Sequence, residues 1–194
     1  MISVPQPGAY LPDRPATRGA PALFLDRDGV VNVNHGYVHT PERTQWLPGI
    51  FELCGLARQA GYLLVVVTNQ AGIARGYYSE AQFLDYTRWV HGQFAARGVP
   101  LDATLYCPHH PTAGLGELCV DCECRKPRPG MFLAAASLLD IAMDKSLMVG
   151  DQDTDLVAAS RAGVKTGFLV ELGTVEPFAP AIAWLQQDGT MLPR

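Results

Sequence analysis

The sequence predicts an α/β protein, a Rossmann-like sandwich in which a mainly parallel central sheet carries helices on both faces. Three observations predict it. Strand-like and helix-like segments alternate along the chain, the pattern of a parallel sheet with crossover helices. The strand-like segments are continuous apolar runs rather than alternating ones, as strands covered on both faces require. Three of these runs end in polar clusters, Asp26-Arg27-Asp28-Gly29, Thr68-Asn69-Gln70 and Gly150-Asp151-Gln152-Asp153, and ligands of such sheets bind beyond the carboxyl ends of strands.

In chain order, residues 1–19 are rich in proline and read as a flexible leader. APALFL at 20–25 is a buried strand bounded by proline and charge. A helix is expected over 48–60, opened by Pro48 and closed by Gly61. YLLVVV at 62–67 is a second buried strand. Residues 79–97 form an amphipathic helix with Ser79 as cap, Glu80 in its first turn and Gly98 past its end. Residues 103–106 read as a third strand, 129–139 as a helix, 146–149 as a fourth strand, 154–162 as a helix, 166–170 as a fifth strand and 175–187 as a last helix. No repeat and no linker divides residues 20–188, so one domain is expected, followed by a short tail at 189–194.

Composition excludes several function classes. The 194 residues are 48% hydrophobic and 18% charged with a net charge of −4, which disfavours a duplex nucleic-acid binder, whose affinity comes largely from neutralising phosphates. No apolar run approaches the roughly 18–20 residues of a spanning helix. The N-terminus lacks the apolar core of a secretory signal. Four of the five cysteines cluster between Cys107 and Cys124, a pattern that favours metal over disulfides in a reducing compartment. A cytoplasmic monomer is expected, with no membrane and no nucleic-acid partner.

The polar strand ends carry the chemistry. Of Asp26 and Asp28, one carboxylate can attack phosphorus while the other protonates a leaving oxygen and later activates water. Two adjacent carboxylates repel a phosphate unless a cation intervenes, and Asp151 can complete a Mg²⁺ site of hard oxygens. A hydroxyl and backbone N–H groups at Thr68 and Asn69 can hold phosphoryl oxygens. Lys126, one of three lysines, can offset charge on a transferring phosphoryl group. Singly, each residue is also what a turn, a helix cap or a solvated surface uses; their convergence on three strand ends argues for a site. In CPHHPTAGLGELCVDCECRKP, three thiolates and an imidazole from Cys107-x-His109 and Cys122-x-Cys124 make a sound tetrahedral zinc set. His110 and Cys119 are further candidates, so spacing leaves six residues for four places.

Together, DxDG, a strand-end Thr, a Lys before a helix and GDxxTD resemble the four motifs of the haloacid dehalogenase (HAD) superfamily of phosphotransferases. LDRDGVVNVNHGYVHTPE, VVVTNQAGIARG and CPHHP…CECRKPRPGM are similar to the D-glycero-D-manno-heptose 1,7-bisphosphate phosphatases, relatives of histidinol-phosphate phosphatases, over roughly residues 20–172. The resemblance implies Asp26 as nucleophile, Asp28 as general acid and base, and Thr68 and Lys126 on the phosphoryl group. It implies Mg²⁺ held by Asp26, Asp151 and the Asp28 main-chain carbonyl, and a structural zinc on Cys107, His109, Cys122 and Cys124. Asn34, His35, Gly36, Tyr37, Asn69, Gln70, Arg125 and Gln152 would contact the sugar bisphosphate, with Arg125 on the distant phosphate. Gln152 stands where many relatives would carry Lys, and Asp155 matches the trailing acid, whose plainer role is to favour a helix N-terminus. Neither half of the chain has room for a cap domain, so an open site is expected. The competing readings are a histidinol-phosphate phosphatase, an inactive zinc-stabilised binding protein and a nucleic-acid 3′-phosphatase.

Overall fold

The computed structural model describes residues 5–12 and 19–188. Its sheet has six strands in the order β1-β4-β3-β2-β5-β6: β1 Gly8–Tyr10, β2 Ala22–Leu25, β3 Leu63–Asn69, β4 Ala103–Cys107, β5 Leu147–Gly150 and β6 Thr166–Leu169. Every neighbouring pair is parallel except β1 with β4, which is antiparallel. The helices are α1 Ile50–Gln59, α2 Ala71–Ala74, α3 Glu80–Ala96, α4 Gly130–Leu139, α5 Asp153–Arg161 and α6 Ala179–Asp188. None of the described helices is long and apolar enough to cross a membrane.

Side chains of successive strand residues point to opposite faces, which divides the core in two. Leu23, Leu25, Leu64, Val66, Leu147 and Val149 pack with α1, α3 and α6 on one face. Ala22, Phe24, Val65, Val67, Leu105 and Met148 pack with α4 and α5 on the other, where the Phe24 and Phe132 ring centroids lie 4.9 Å apart. Both faces are therefore buried, as the unbroken apolar runs required. At α3 the Ser79 cap is completed by Gln82 in a reciprocal capping box, worth about 1 kcal/mol.

Two departures from the sequence reading matter. The leader is not wholly without structure: Gly8–Tyr10 forms β1 on the edge of the sheet. A three-residue strand has no periodicity to read, and its fit depends on a partner remote in sequence. Gly8 lies against the Tyr106 ring, where a Cβ would stand 2.1 Å from Cζ. Residues 1–4 and 13–18 of the leader, and the tail at 189–194, lie outside the described residues. The second strand also runs further than expected, so Thr68 and Asn69 belong to β3 rather than following it.

Candidate active site and metal-binding loop

The carboxyl ends of β2, β3 and β5, three adjacent strands, meet at a cavity of about 220 Å³ lined by Asp26, Asp28, Asn34, Thr68, Asn69, Lys126, Asp151, Gln152, Thr154 and Asp155. Larger clefts of about 570 and 460 Å³ lie along α5 with β6 and between α1 and α6, away from any cluster of reactive groups. Gly29 turns the chain at φ +104°, and a Cβ there would stand 2.3 Å from Asp151 Oδ2. Only glycine lets the β2 turn come this close to the β5 carboxylate.

Lys126 organises the site. Its ammonium donates to Asp26 Oδ1 at 2.6 Å and to the Val67 carbonyl at 2.8 Å, and it pairs with Asp155 Oδ1 at 2.6 Å. Its three protons are thereby committed. Burial works against its charge, but the Asp26 and Asp155 carboxylates outweigh that and raise its pKa above the usual value. Asp26 Oδ1 is thus pinned, and Oδ2 is the oxygen left to react. The other Asp155 oxygen accepts from the backbone N–H of Asp151 and of Gln152, at 3.2 and 3.1 Å. Asp155 anchors both the lysine and the turn into α5.

The oxygens of Asp26, Asp151 and Asp155 converge within 4.8 Å of one another. Burial pushes the Asp26 carboxyl up to about 7, with Lys126 acting against the rise and Asp155 and Asp28 adding to it. Burial also raises Asp151. Three carboxylates share one ammonium, which leaves negative charge that a hard divalent cation would offset. The donor set fits magnesium: Asp26, held by Lys126 at Oδ1, and Asp151, held by Gln152 Nε2 at Oδ2, each keep a second carboxylate oxygen.

Asp28 is held from three sides. Arg27 Nη2 donates to Oδ2 at 2.7 Å, Gln70 Nε2 to the same oxygen at 3.2 Å and Asn32 Nδ2 to Oδ1 at 3.1 Å. Gln70 is 1% exposed and touches Asp28 and Thr68 from behind the site. Its Nε2 donates to Thr68 Oγ1 at 2.8 Å, which leaves the threonine proton free for a phosphoryl oxygen. Asn69 lines the cavity, but its amide makes a reciprocal pair with the Lys126 backbone at 3.2 and 3.1 Å.

Of the expected substrate contacts, Asn34 and Gln152 line the cavity. His35, Gly36 and Tyr37 are exposed beside it, their loop tied by Arg43 to the His35 and Gly36 carbonyls at 3.1 Å each. The Arg125 guanidinium donates to the His109 carbonyl at 3.2 Å and does not line the cavity. Sequence reasoning missed Arg27, Asn32 and Thr154. Asn32 falls in the DRDGVVN run, but an asparagine after two valines carries no signal by itself, and nothing local marks a strand-end arginine as buried.

Beside the site, Cys107, His109, Cys122 and Cys124 are all buried, with ligand atoms within 4.8 Å of one another. The three sulfurs are 3.3–3.5 Å apart, and His109 Nδ1 lies 3.7 Å from Cys107 Sγ and 3.4 Å from Cys124 Sγ. Hydrogen bonding by Cys124 pulls the Cys107 thiol down to about 5, while its bond to Cys107 drives Cys124 up and burial drives Cys122 up. Three thiolates packed this closely would repel one another; a tetrahedral dication would offset their charge, so the donors fit zinc. The two spare candidates are resolved. His110 Nδ1 accepts from the backbone N–H of Thr112 and Ala113, and Cys119 is exposed.

Comparison with known proteins agrees with this geometry. A HAD-hydrolase-like family model matches residues 123–180. A D-glycero-β-D-manno-heptose-1,7-bisphosphate 7-phosphatase of Vibrio cholerae is 52% identical over 153 residues, 79% of this chain and 82% of the relative. The corresponding α-anomer 7-phosphatase of Burkholderia mallei is 52% identical over 149 residues, 77% of this chain and 79% of the relative. The crystal structure of D,D-heptose 1,7-bisphosphate phosphatase from B. bronchiseptica, complexed with magnesium and phosphate, superposes with a TM-score of 0.72 at 32% identity, covering 89% of this chain and 99% of that one.

Proposed function

The chain belongs to the D-glycero-D-manno-heptose 1,7-bisphosphate 7-phosphatases, phosphoric monoester hydrolases of HAD type, and from that premise we propose that it hydrolyses the C7 phosphate of that sugar bisphosphate through an aspartyl-phosphate. The observation that carries the reading is the Lys126 tripod, which pins Asp26 Oδ1 at 2.6 Å and leaves Oδ2 for in-line attack.

Mg²⁺ would be held by the Asp26 and Asp151 carboxylates and the Asp28 main-chain carbonyl, and would supply charge neutralisation for the phosphoryl group. Asp26 Oδ2 attacks phosphorus, the bond from phosphorus to the sugar C7 oxygen breaks, and Asp28 protonates that oxygen. The Thr68 hydroxyl and the Lys126 charge steady the phosphoryl oxygens. Asp28, now ionised, takes a proton from water, whose oxygen attacks phosphorus and breaks the bond to Asp26, releasing inorganic phosphate. Asn34, Gln152 and the exposed His35–Tyr37 loop read the sugar, and Arg125 takes the C1 phosphate once turned from the His109 carbonyl. Zinc on Cys107, His109, Cys122 and Cys124 is structural, since four protein ligands leave no open position. The enzyme acts as a cytoplasmic monomer, and its product enters nucleotide-activated heptose synthesis for surface glycans.

The test is phosphate release, with Mg²⁺, from the α and β anomers assayed separately and from histidinol phosphate. Turnover of a heptose anomer, with only weak turnover of histidinol phosphate, is the expected result and identifies the glycan route. Strong turnover of histidinol phosphate alone would move the chain to a different biosynthesis and overturn the sugar-site reading.

A further inference from the structure

The steps above leave Arg27 without a task, although it stands between the two reacting aspartates and is 3% exposed. One of its nitrogens, Nη2, faces three acceptors: Asp28 Oδ2 at 2.7 Å, the Val38 carbonyl at 2.6 Å and Gln70 Oε1 at 3.2 Å. That nitrogen has two protons, so three acceptors share them. Nε and Nη1 find no acceptor among the described residues. The guanidinium lies instead 5.5 and 5.3 Å from the ring centroids of Phe83 and Tyr86, which hold it by cation–π attraction.

Gln70 forms the second arm. It joins Asp28 to Thr68 through Nε2, and its Oε1 accepts from the Tyr78 hydroxyl at 2.6 Å. Both arms reach the substrate loop. Val38 closes the segment that carries Asn34, His35, Gly36 and Tyr37, and the His39 ring stacks on Tyr78 at 4.3 Å.

We propose that Arg27 and Gln70 are positioning residues that make the alignment of Asp28 depend on how the 33–38 loop is seated. Because Arg27 divides one nitrogen between the Asp28 carboxylate and the loop's Val38 carbonyl, moving the loop redistributes the bonds on Asp28. A sugar bisphosphate that seats the loop aligns the acid/base; a small phosphate ester that ignores the loop meets it misaligned. An open site without a cap thereby gains discrimination against other phosphate esters. The inference rests on the reading of Asp28 as acid and base.

The test compares Arg27→Lys, Arg27→Met and Gln70→Met with wild type on heptose bisphosphate and on p-nitrophenyl phosphate, whose leaving group needs no proton. On the sugar, kcat is expected to fall about 10- to 100-fold with KM changed less than about 3-fold, and preference over p-nitrophenyl phosphate should fall with it. On p-nitrophenyl phosphate the variants should show a nitrophenolate burst of about one per chain, because attack proceeds while water activation is slowed. Gln70→Met keeps the buried arginine and its charge partner, so the test survives an Arg27 variant that does not fold. Wild-type kcat in all three, or an equal loss on both substrates with no burst in folded protein, overturns the proposal. Asp28→Asn is the reference: if it retains turnover, the acid/base reading fails; if it is dead while the Arg27 and Gln70 variants are normal, only this inference fails.

Discussion

At the scale of the residue, Asp155 decides between two roles that look alike on paper. Its oxygens converge with those of Asp26 and Asp151, yet one is bound by Lys126 and the other by two backbone N–H groups. Asp155→Asn is therefore expected to lower kcat about 10-fold or more through a loosened Lys126, with the Mg²⁺ concentration for half activity little changed. A large rise in that concentration would make Asp155 a metal ligand. His91 makes a prediction of another kind. Burial holds it down to about 4, with Nε2 2.9 Å from Thr104 Oγ1 and Nδ1 without a hydrogen-bond partner among the described residues. Between that value and the ordinary value near 6.5, the unfolded chain binds the proton and the folded one does not, so stability falls as pH drops through this window. The loss should be on the order of 2 kcal/mol, read as the difference in urea midpoint between pH 7 and pH 4.5, and His91→Gln should flatten it. The two aspartates of the cavity were legible in the sequence because DxDG follows an apolar run. The burial of Gln70 and Arg27 was not legible because a polar residue at a strand end looks the same whether it faces a cavity or the core; only the partner's position decides.

At the scale of the element, the metal loop shows what spacing can and cannot give. The spacing named six ligand candidates, and the fold chose four by burying their ligand atoms together. Cys119→Ser should leave about one zinc per chain, whereas Cys122→Ser should lose the metal and lower the melting temperature. Metal analysis with thermal unfolding checks both, and the reverse pattern would move the site. The loop is also tied to α2, where the Leu115 N–H donates to the Ala74 carbonyl at 2.8 Å, so loss of zinc should reach the segment after Thr68. Long apolar strands and capped helices were readable because burial on two faces and a terminal Ser leave local marks. The strand β1 was not, since its three residues are strand only because Tyr106 and its neighbours offer an edge.

At the scale of the whole molecule, the polar groups of the cavity come from adjacent strands that are remote in sequence. β2 lies between β3 and β5, so Asp26, Thr68 and Asp151 become neighbours only when the parallel pairings on both sides of β2 have formed. Apolar runs with polar ends foretold the layered sandwich and the meeting of three strand ends; the strand order, the antiparallel edge and the side-chain network behind Asp28 carry no local mark in the sequence. The same topology gives the metal loop a further meaning. Cys107 and His109 precede the mostly exposed turn at 111–119, and Cys122 and Cys124 follow it. A protease cut in that turn would leave two fragments, one ending after β4 and one holding β5 and β6, joined by the ion, by the β2–β5 pairing and by α4 and α6 packed against the first fragment, instead of by a peptide bond. The nicked enzyme is expected to stay active and to elute as one species, and after chelation to melt at a lower temperature than the uncut chain treated alike, because the ion alone links the two sides of the cut loop. Size-exclusion chromatography of the nicked enzyme, with thermal unfolding before and after chelation, would show a two-piece enzyme whose cut is bridged by a removable ion.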